Sequence, residues 1–205
     1  MVLVKTLDEQ YLLEQILDAS KPPLPAECEE LHWLLFTPFR YPPLPSGSRF
    51  RAPHDPGVFY GADERRTACA ELGYWRWRFL ADSPLETLEP LQQTLFRAAV
   101  AGSCVDLRTA PYIELARDWS DPTDYGACQR FARAARTDGI EIIRYASVRD
   151  PEHGACAAVL SPSAFARPAP LETQIWNLTV TRSRVIWRRN TVFESEAFEF
   201  ATDRW

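Results

Sequence analysis

Proline decides how this chain can be cut into elements. Seventeen prolines occur in 205 residues, and they crowd the first fifth in "KPPLP" (21–25) and "TPFRYPPLPSG" (37–47). Proline fixes φ and lacks an N–H, so the helical spacing of Leu3, Leu7, Tyr11, Leu12, Ile16 and Ala19 must stop at "KPPLP". The next segment, 25–47, reads as a short apolar element followed by an extended connector. Arg49–Arg51 and Val58–Gly61 then read as two short strands joined by the turn-rich "PHDPG", forming a hairpin or a strand-loop-strand. Apolar spacing at Ala68, Leu72, Trp75 and Phe79 predicts a helix from about Thr67 to Phe79, capped by Asp63.

Further on, "LQQTLFRAAVAGSCVDLR" supplies strand-like runs broken at Gly102, and "PYIELARDW" a short helix with proline in its first turn. The stripe Tyr125, Cys128, Phe131, Ala132 and Ala135 marks a helix capped by Thr123 or Asp124 and stopped by Gly139. A strand from Ile140 to Val148 follows, then "ACAAVL", then an antiparallel pair between Gln174 and Phe198. Strands in short groups, without regular β-α-β alternation, make the class α+β: a mixed, largely antiparallel sheet with flanking helices. The organisation is a single domain, 1–205, with a helical and Pro-rich lead-in (1–46), a core (47–160) and a strand extension (161–205).

Several function classes lose support at once. The formal charge is −5 and no basic block stands apart from compensating acids, which disfavours a nucleic-acid surface. The run "HWLLF" is too short to span a bilayer, and "MVLVKTLDEQ" lacks the pattern of a signal peptide, so the expected location is the cytoplasm with no membrane partner. Five cysteines, at 28, 69, 104, 128 and 156, show no C-x-x-C spacing and read as reduced, mostly buried small hydrophobes. Histidines 32, 54 and 153 form no ligand cluster, so no metal is expected.

The chemistry-bearing stretch is "SRFRAPHDPGVFYGADERRTACAELGYWRWRF". Glu71 falls three residues after Ala68 and four before Trp75, at the border of the apolar helix face, and no basic residue stands three or four positions away. It is either a core-edge carboxylate paired with a distant arginine or a functional one. Tyr60 ends a strand eleven positions earlier, where a strand-turn-helix can bring it beside Glu71; otherwise it is a core tyrosine. Arg49 and Arg51 flank Phe50 and project to one face if extended, where a solvated strand edge is the plainer account. Ser147 shares a strand face with Ile143 and Tyr145, and no G-x-S-x-G elbow marks it as a hydrolase nucleophile. In "YWRWRF" the favoured arrangement packs Trp75 and Phe79 inward.

These pieces, "GSRFR", "GVFYGAD", "TACAEL" and "DYGACQRFARAARTDGIEIIRYASVRDP" leading to "CAAVL", occur in an order that resembles the RES-domain toxins of bacterial toxin–antitoxin modules, named for Arg, Glu and Ser. The resemblance runs from about Gly47 to Leu160; the lead-in and the tail lie outside it. It implies a fold related to ADP-ribosyltransferases and an enzyme that cleaves the nicotinamide–ribose bond of NAD. The products would be those of an NAD glycohydrolase or phosphorylase, or a protein carrying ADP-ribose. The family arginine falls on Arg49, with Arg51 as alternative, the tyrosine on Tyr60, the glutamate on Glu71 and the serine on Ser147.

NAD would be a consumed substrate and no cofactor is implied; nor does the chain contain the G-x-G-x-x-G of a Rossmann site. In this reading Glu71 stabilises oxocarbenium charge, Arg49 (or Arg51) binds the pyrophosphate, Tyr60 stacks on nicotinamide and Ser147 bonds the amide or a ribose oxygen. The resemblance also implies a helix-turn-helix antitoxin that occludes the cleft within a larger symmetric homo-oligomeric complex. A non-catalytic nucleotide- or partner-binding module is the competing class, and a ribonuclease-type toxin ranks last because the acidic balance disfavours RNA.

Overall fold

The computed structural model describes residues 6–43, 45–190 and 195–205. Leu3 of the expected first helix, residue 44 of the connector and residues 191–194 of the expected tail pair lie outside these. In chain order the elements are α1 (Leu7–Ser20), α2 (Trp33–Arg40), β1 (Phe59–Ala62), α3 (Arg65–Ala81), β2 (Thr87–Arg97) and β3 (Cys104–Asp106). There follow α4 (Ala116–Ser120), α5 (Gly126–Thr137), β4 (Ile142–Ala146), β5 (Ala155–Val159), β6 (Glu172–Thr181), β7 (Arg184–Asn190) and β8 (Ser195–Ala201). Helix α1 ends before the prolines as its sequence requires, yet Leu7, Tyr11, Leu12 and Ile16 are all exposed and contribute nothing to the core.

The strands form two sheets. One has the order β1-β5-β4-β3, antiparallel except for the parallel β3–β4 pair; the other, β2-β6-β7-β8, is antiparallel throughout. The architecture is α+β, with mixed sheets and flanking helices. The tail thus contributes three strands where the alternation predicts two, and β2 joins them by pairing with β6. No described helix is long and apolar enough to cross a membrane. All five cysteines are free, and only Cys104 is exposed.

Register places the site. Tyr60 sits opposite Ala158, Ala158 opposite Ile143, and Cys156 opposite Tyr145. Side chains alternate along a strand, so Tyr60, Ala158, Ile143 and Tyr145 share one face of the first sheet. Against it α5 packs Cys128, Ala132 and Ala135, together with Phe50. Gly139 ends this unit with φ of +73°, a left-handed conformation that costs glycine little, and lets the chain turn directly into β4.

Helix α3 touches both sheets, but not with the expected face. Cys69, Ala70, Gly73 and Leu80 are buried, whereas Trp75 is 52% and Phe79 65% exposed. The small residues win because they allow close approach: a Cβ on Gly73 would meet Val185 Cγ1 at 2.9 Å. Under them lie Trp176, Leu178, Val180, Val185 and Trp187 of the second sheet. Burying each aliphatic side chain here stabilises by about 1.5–3 kcal/mol.

The expected hairpin is also absent. Ser48 N–H donates to Arg51 O at 2.7 Å and Arg51 N–H to Ser48 O at 3.2 Å, closing residues 48–51 into a turn, while the partner of β1 is β5. The turn sends Arg49 and Arg51 to different places.

Candidate functional site

Ser147 follows the last residue of β4 and is completely buried. Its N–H donates to Gly154 O at 2.9 Å, which holds the turn 147–154 closed. The hydroxyl oxygen accepts from Arg149 N–H at 3.1 Å and Asp150 N–H at 2.9 Å. With both lone pairs occupied, its proton goes to Glu71 Oε1, 2.6 Å away. A residue just past the end of the interior strand β4 and one from the middle of α3 are thus joined by a short charge-assisted hydrogen bond. Glu71 Oε2 accepts no bond from a described residue.

Burial pushes the Glu71 carboxyl above its ordinary range; the Ser147 hydroxyl and the charges of Arg49 and Arg149 pull the other way, and Asp150 adds to the rise. Asp150 is itself paired with Arg66 Nη1 at 2.7 Å and accepts the Thr67 hydroxyl at 2.7 Å. Arg49, 8% exposed, donates to Trp119 O at 2.8 Å and lies 4.8 Å from the Tyr125 ring centroid. Arg149 donates to Pro122 O at 2.5 Å and stacks 3.6 Å from the Tyr74 ring centroid. Glu71 is a largely buried carboxylate whose charged form the charges of Arg49 and Arg149 favour.

Tyr60 is 38% exposed along its ring, while its hydroxyl enters the 48–51 turn, accepting from Phe50 N–H at 2.9 Å and meeting Ser48 Oγ at 2.8 Å. Burial of that end pushes the phenol up to about 12, against the pull of the Ser48 bond, the Phe50 bond and the nearby Arg49 charge. Tyr60 also borders an apolar groove with Trp33, Pro38, Phe59 and Phe96.

A family model, the RES domain, matches residues 24–181. The chain belongs to the RES domain family. RES domains are associated with NAD-related toxins of toxin–antitoxin modules. No curated protein matches the chain. The RES match begins in the Pro-rich lead-in and ends in β6, reaching beyond the span 47–160 on both sides.

Four of the five residues singled out in this RES domain gather around one point. Glu71 and Ser147 are bonded, Arg49 acts on Glu71 through its charge, and Tyr60 fixes the turn that carries Arg49. Arg51 does not join them: its guanidinium donates to Asp55 O, Pro38 O and Tyr41 O at 3.2, 3.3 and 3.1 Å. The turn at 48–51 removes the shared face that alternation assigned to both arginines. The sequence pattern marks Tyr125 only as a member of the α5 stripe and Tyr74 only as a helical neighbour of Glu71, and it marks neither Arg149 nor Asp150. The available signal was position, since Arg149 and Asp150 follow Ser147 within the "YASVRD" strand end.

Two predictions arise here. Arg49→Lys loses the fork and should raise KM for the substrate, whereas Arg51→Lys should lower the melting temperature and leave KM near the wild-type value. Equal KM changes in steady-state kinetics would place both arginines on the substrate. The second concerns Glu71, whose folded value is raised, so the folded state binds its proton more tightly than the unfolded one. Stability is therefore lost as pH rises from the unfolded value through the raised folded value, and stays lowered above it. Glu71→Gln should be more stable than wild type at neutral pH and equal to it below the ordinary carboxylate range. Denaturant unfolding at both pH values checks this; a gap independent of pH would show that ionisation is not its cause.

Proposed function

We propose that the chain is the toxin of a toxin–antitoxin module and cleaves the nicotinamide–ribose bond of NAD. The observation that carries the reading is Glu71, a desolvated carboxylate aimed by the Ser147 proton and flanked by Arg49 and Arg149. Departure of nicotinamide leaves oxocarbenium-like charge on the ribose, and an anionic oxygen in a site poor in water stabilises that charge more than it stabilises the ground state. Glu71 Oε2 supplies that oxygen and holds a ribose hydroxyl. Arg49 binds the pyrophosphate, the exposed flank of Tyr60 offers a face for nicotinamide, and Ser147 keeps Glu71 in place.

Family membership supports two further parts of the proposal: kinship of the fold with ADP-ribosyltransferases, and a cognate helix-turn-helix antitoxin that covers the cleft. The acceptor separates the activities, with water giving ADP-ribose, phosphate its 1-phosphate, and a protein side chain a modified protein.

The test is to incubate purified protein with NAD, with and without phosphate, and to follow nicotinamide and the ribosyl product by chromatography, with Glu71→Ala as control. Nicotinamide release that disappears in the variant supports the reading, and the product names the acceptor. Absence of release, also with cell lysate added as a source of acceptors, overturns it in favour of a binding module.

A further inference from the structure

Two arginines, not one, act on Glu71 through their charge, and their surroundings are alike. Arg49 is 8% and Arg149 5% exposed, and among the described residues neither forms an ion pair. Each is backed by an aromatic ring, Tyr125 or Tyr74, and each gives one N–H to a backbone carbonyl, Trp119 O near the end of α4 or Pro122 O in the connection that follows it. The carbonyls and rings orient the guanidinium planes without neutralising them. The nearby carboxylates form no ion pair with either: Asp150 pairs with Arg66, and Asp121, whose charge reaches Arg49 only through space, turns Oδ1 to the N–H groups of Thr123 and Asp124. Each guanidinium therefore keeps N–H groups that no carboxylate takes in an ion pair, on a side chain more than nine-tenths buried, an arrangement that an anion would complete.

We propose that Arg149 is a second anion-binding residue, and that Arg49 and Arg149 together take the two phosphates of a diphosphate, one each, held apart by the end of α4 and the connection after it. This rests on the NAD reading and extends it: NAD is then recognised through both phosphates. Tyr74 lies three residues after Glu71 on α3, which fixes Arg149 relative to the carboxylate through one helix face.

The experiment uses the full chain carrying Glu71→Gln to suppress turnover, titrated with ADP and with adenosine by calorimetry, with and without Arg149→Gln or Arg149→Lys. Loss of charge-assisted bonds should weaken ADP by roughly tenfold or more in Arg149→Gln, less in Arg149→Lys, and leave adenosine unchanged. If Arg149→Gln weakens ADP and adenosine alike, or lowers neither, or if the parent binds ADP no better than adenosine, the proposal is overturned. A thermal melt of each variant separates misfolding from lost binding, and Arg149→Lys keeps the test open if Arg149→Gln does not fold. The two readings fail separately. NAD cleavage with an Arg149-independent KM sinks the diphosphate pair alone, and Arg149-dependent ADP binding without nicotinamide release sinks the NAD chemistry alone.

Discussion

Glu71→Gln should abolish most nicotinamide release while leaving the protein folded. The amide keeps the shape and can still accept the Ser147 proton through its carbonyl oxygen, so the 2.6 Å link between α3 and the end of β4 has a replacement. What disappears is the charge. By analogy with removal of a single electrostatic stabiliser from other active sites, kcat should fall by roughly 10²–10³-fold with KM nearly unchanged, because the carboxylate acts on charge that exists only in the transition state. Steady-state kinetics on both proteins gives the two parameters. A kcat within a few-fold of wild type would remove Glu71 from the chemistry and leave it as a buried structural acid.

Such a variant would also be the more stable protein at neutral pH, since burial already opposes ionisation of Glu71. Stability and activity then pull in opposite directions at one residue, as expected where an active site keeps a charge that the fold alone would rather neutralise.

Some of this site was legible in the sequence, and the boundary is physical. Ser147 was placeable because helix, Gly139 and strand succeed one another with strong local signals, and Gly139 with φ of +73° ends α5 where its sequence says it should. Glu71 was singled out for its place beside an apolar stripe, yet that stripe is the exposed side of α3. Periodicity weighs residues by hydrophobicity, and here narrow residues, Cys69, Ala70 and Gly73, face the second sheet because only they permit the close approach. Trp75 and Phe79, which the same pattern sends inward, are left at the surface.

The arginines show the other limit. Alternation treats Arg49 and Arg51 as equivalent, and the turn made by Ser48 and Arg51 separates them; nothing local announces a turn whose closure depends on Tyr60, ten or more residues away. Arg149 has no pattern at all. Its role comes from contacts with Tyr74 and Pro122, at sequence separations that neither periodicity nor capping rules can reach.

Gly154→Ala should damage both fold and site. A Cβ at this position would lie 2.0 Å from Thr67 Oγ1 and 3.0 Å from Asp150 Oδ2, and Thr67 and Asp150 are each only 2% exposed, so neither has room to retreat. Overpacking of this kind costs about 1–3 kcal/mol or more, which for a chain of this size lowers the melting temperature by roughly 2–4 °C per kcal/mol. The loss should extend to activity, because Thr67 stands one helical turn before Glu71 and Gly154 O receives the Ser147 N–H, so the clash strains both ends of the Glu71–Ser147 bond. Adding Thr67→Ala removes the offending oxygen at the cost of its bond to Asp150. The double variant should therefore be more stable and more active than Gly154→Ala alone, a non-additivity that melting and nicotinamide release would both register. If Thr67→Ala instead adds its own loss to that of Gly154→Ala, the contact across this turn is not what holds Ser147 against Glu71.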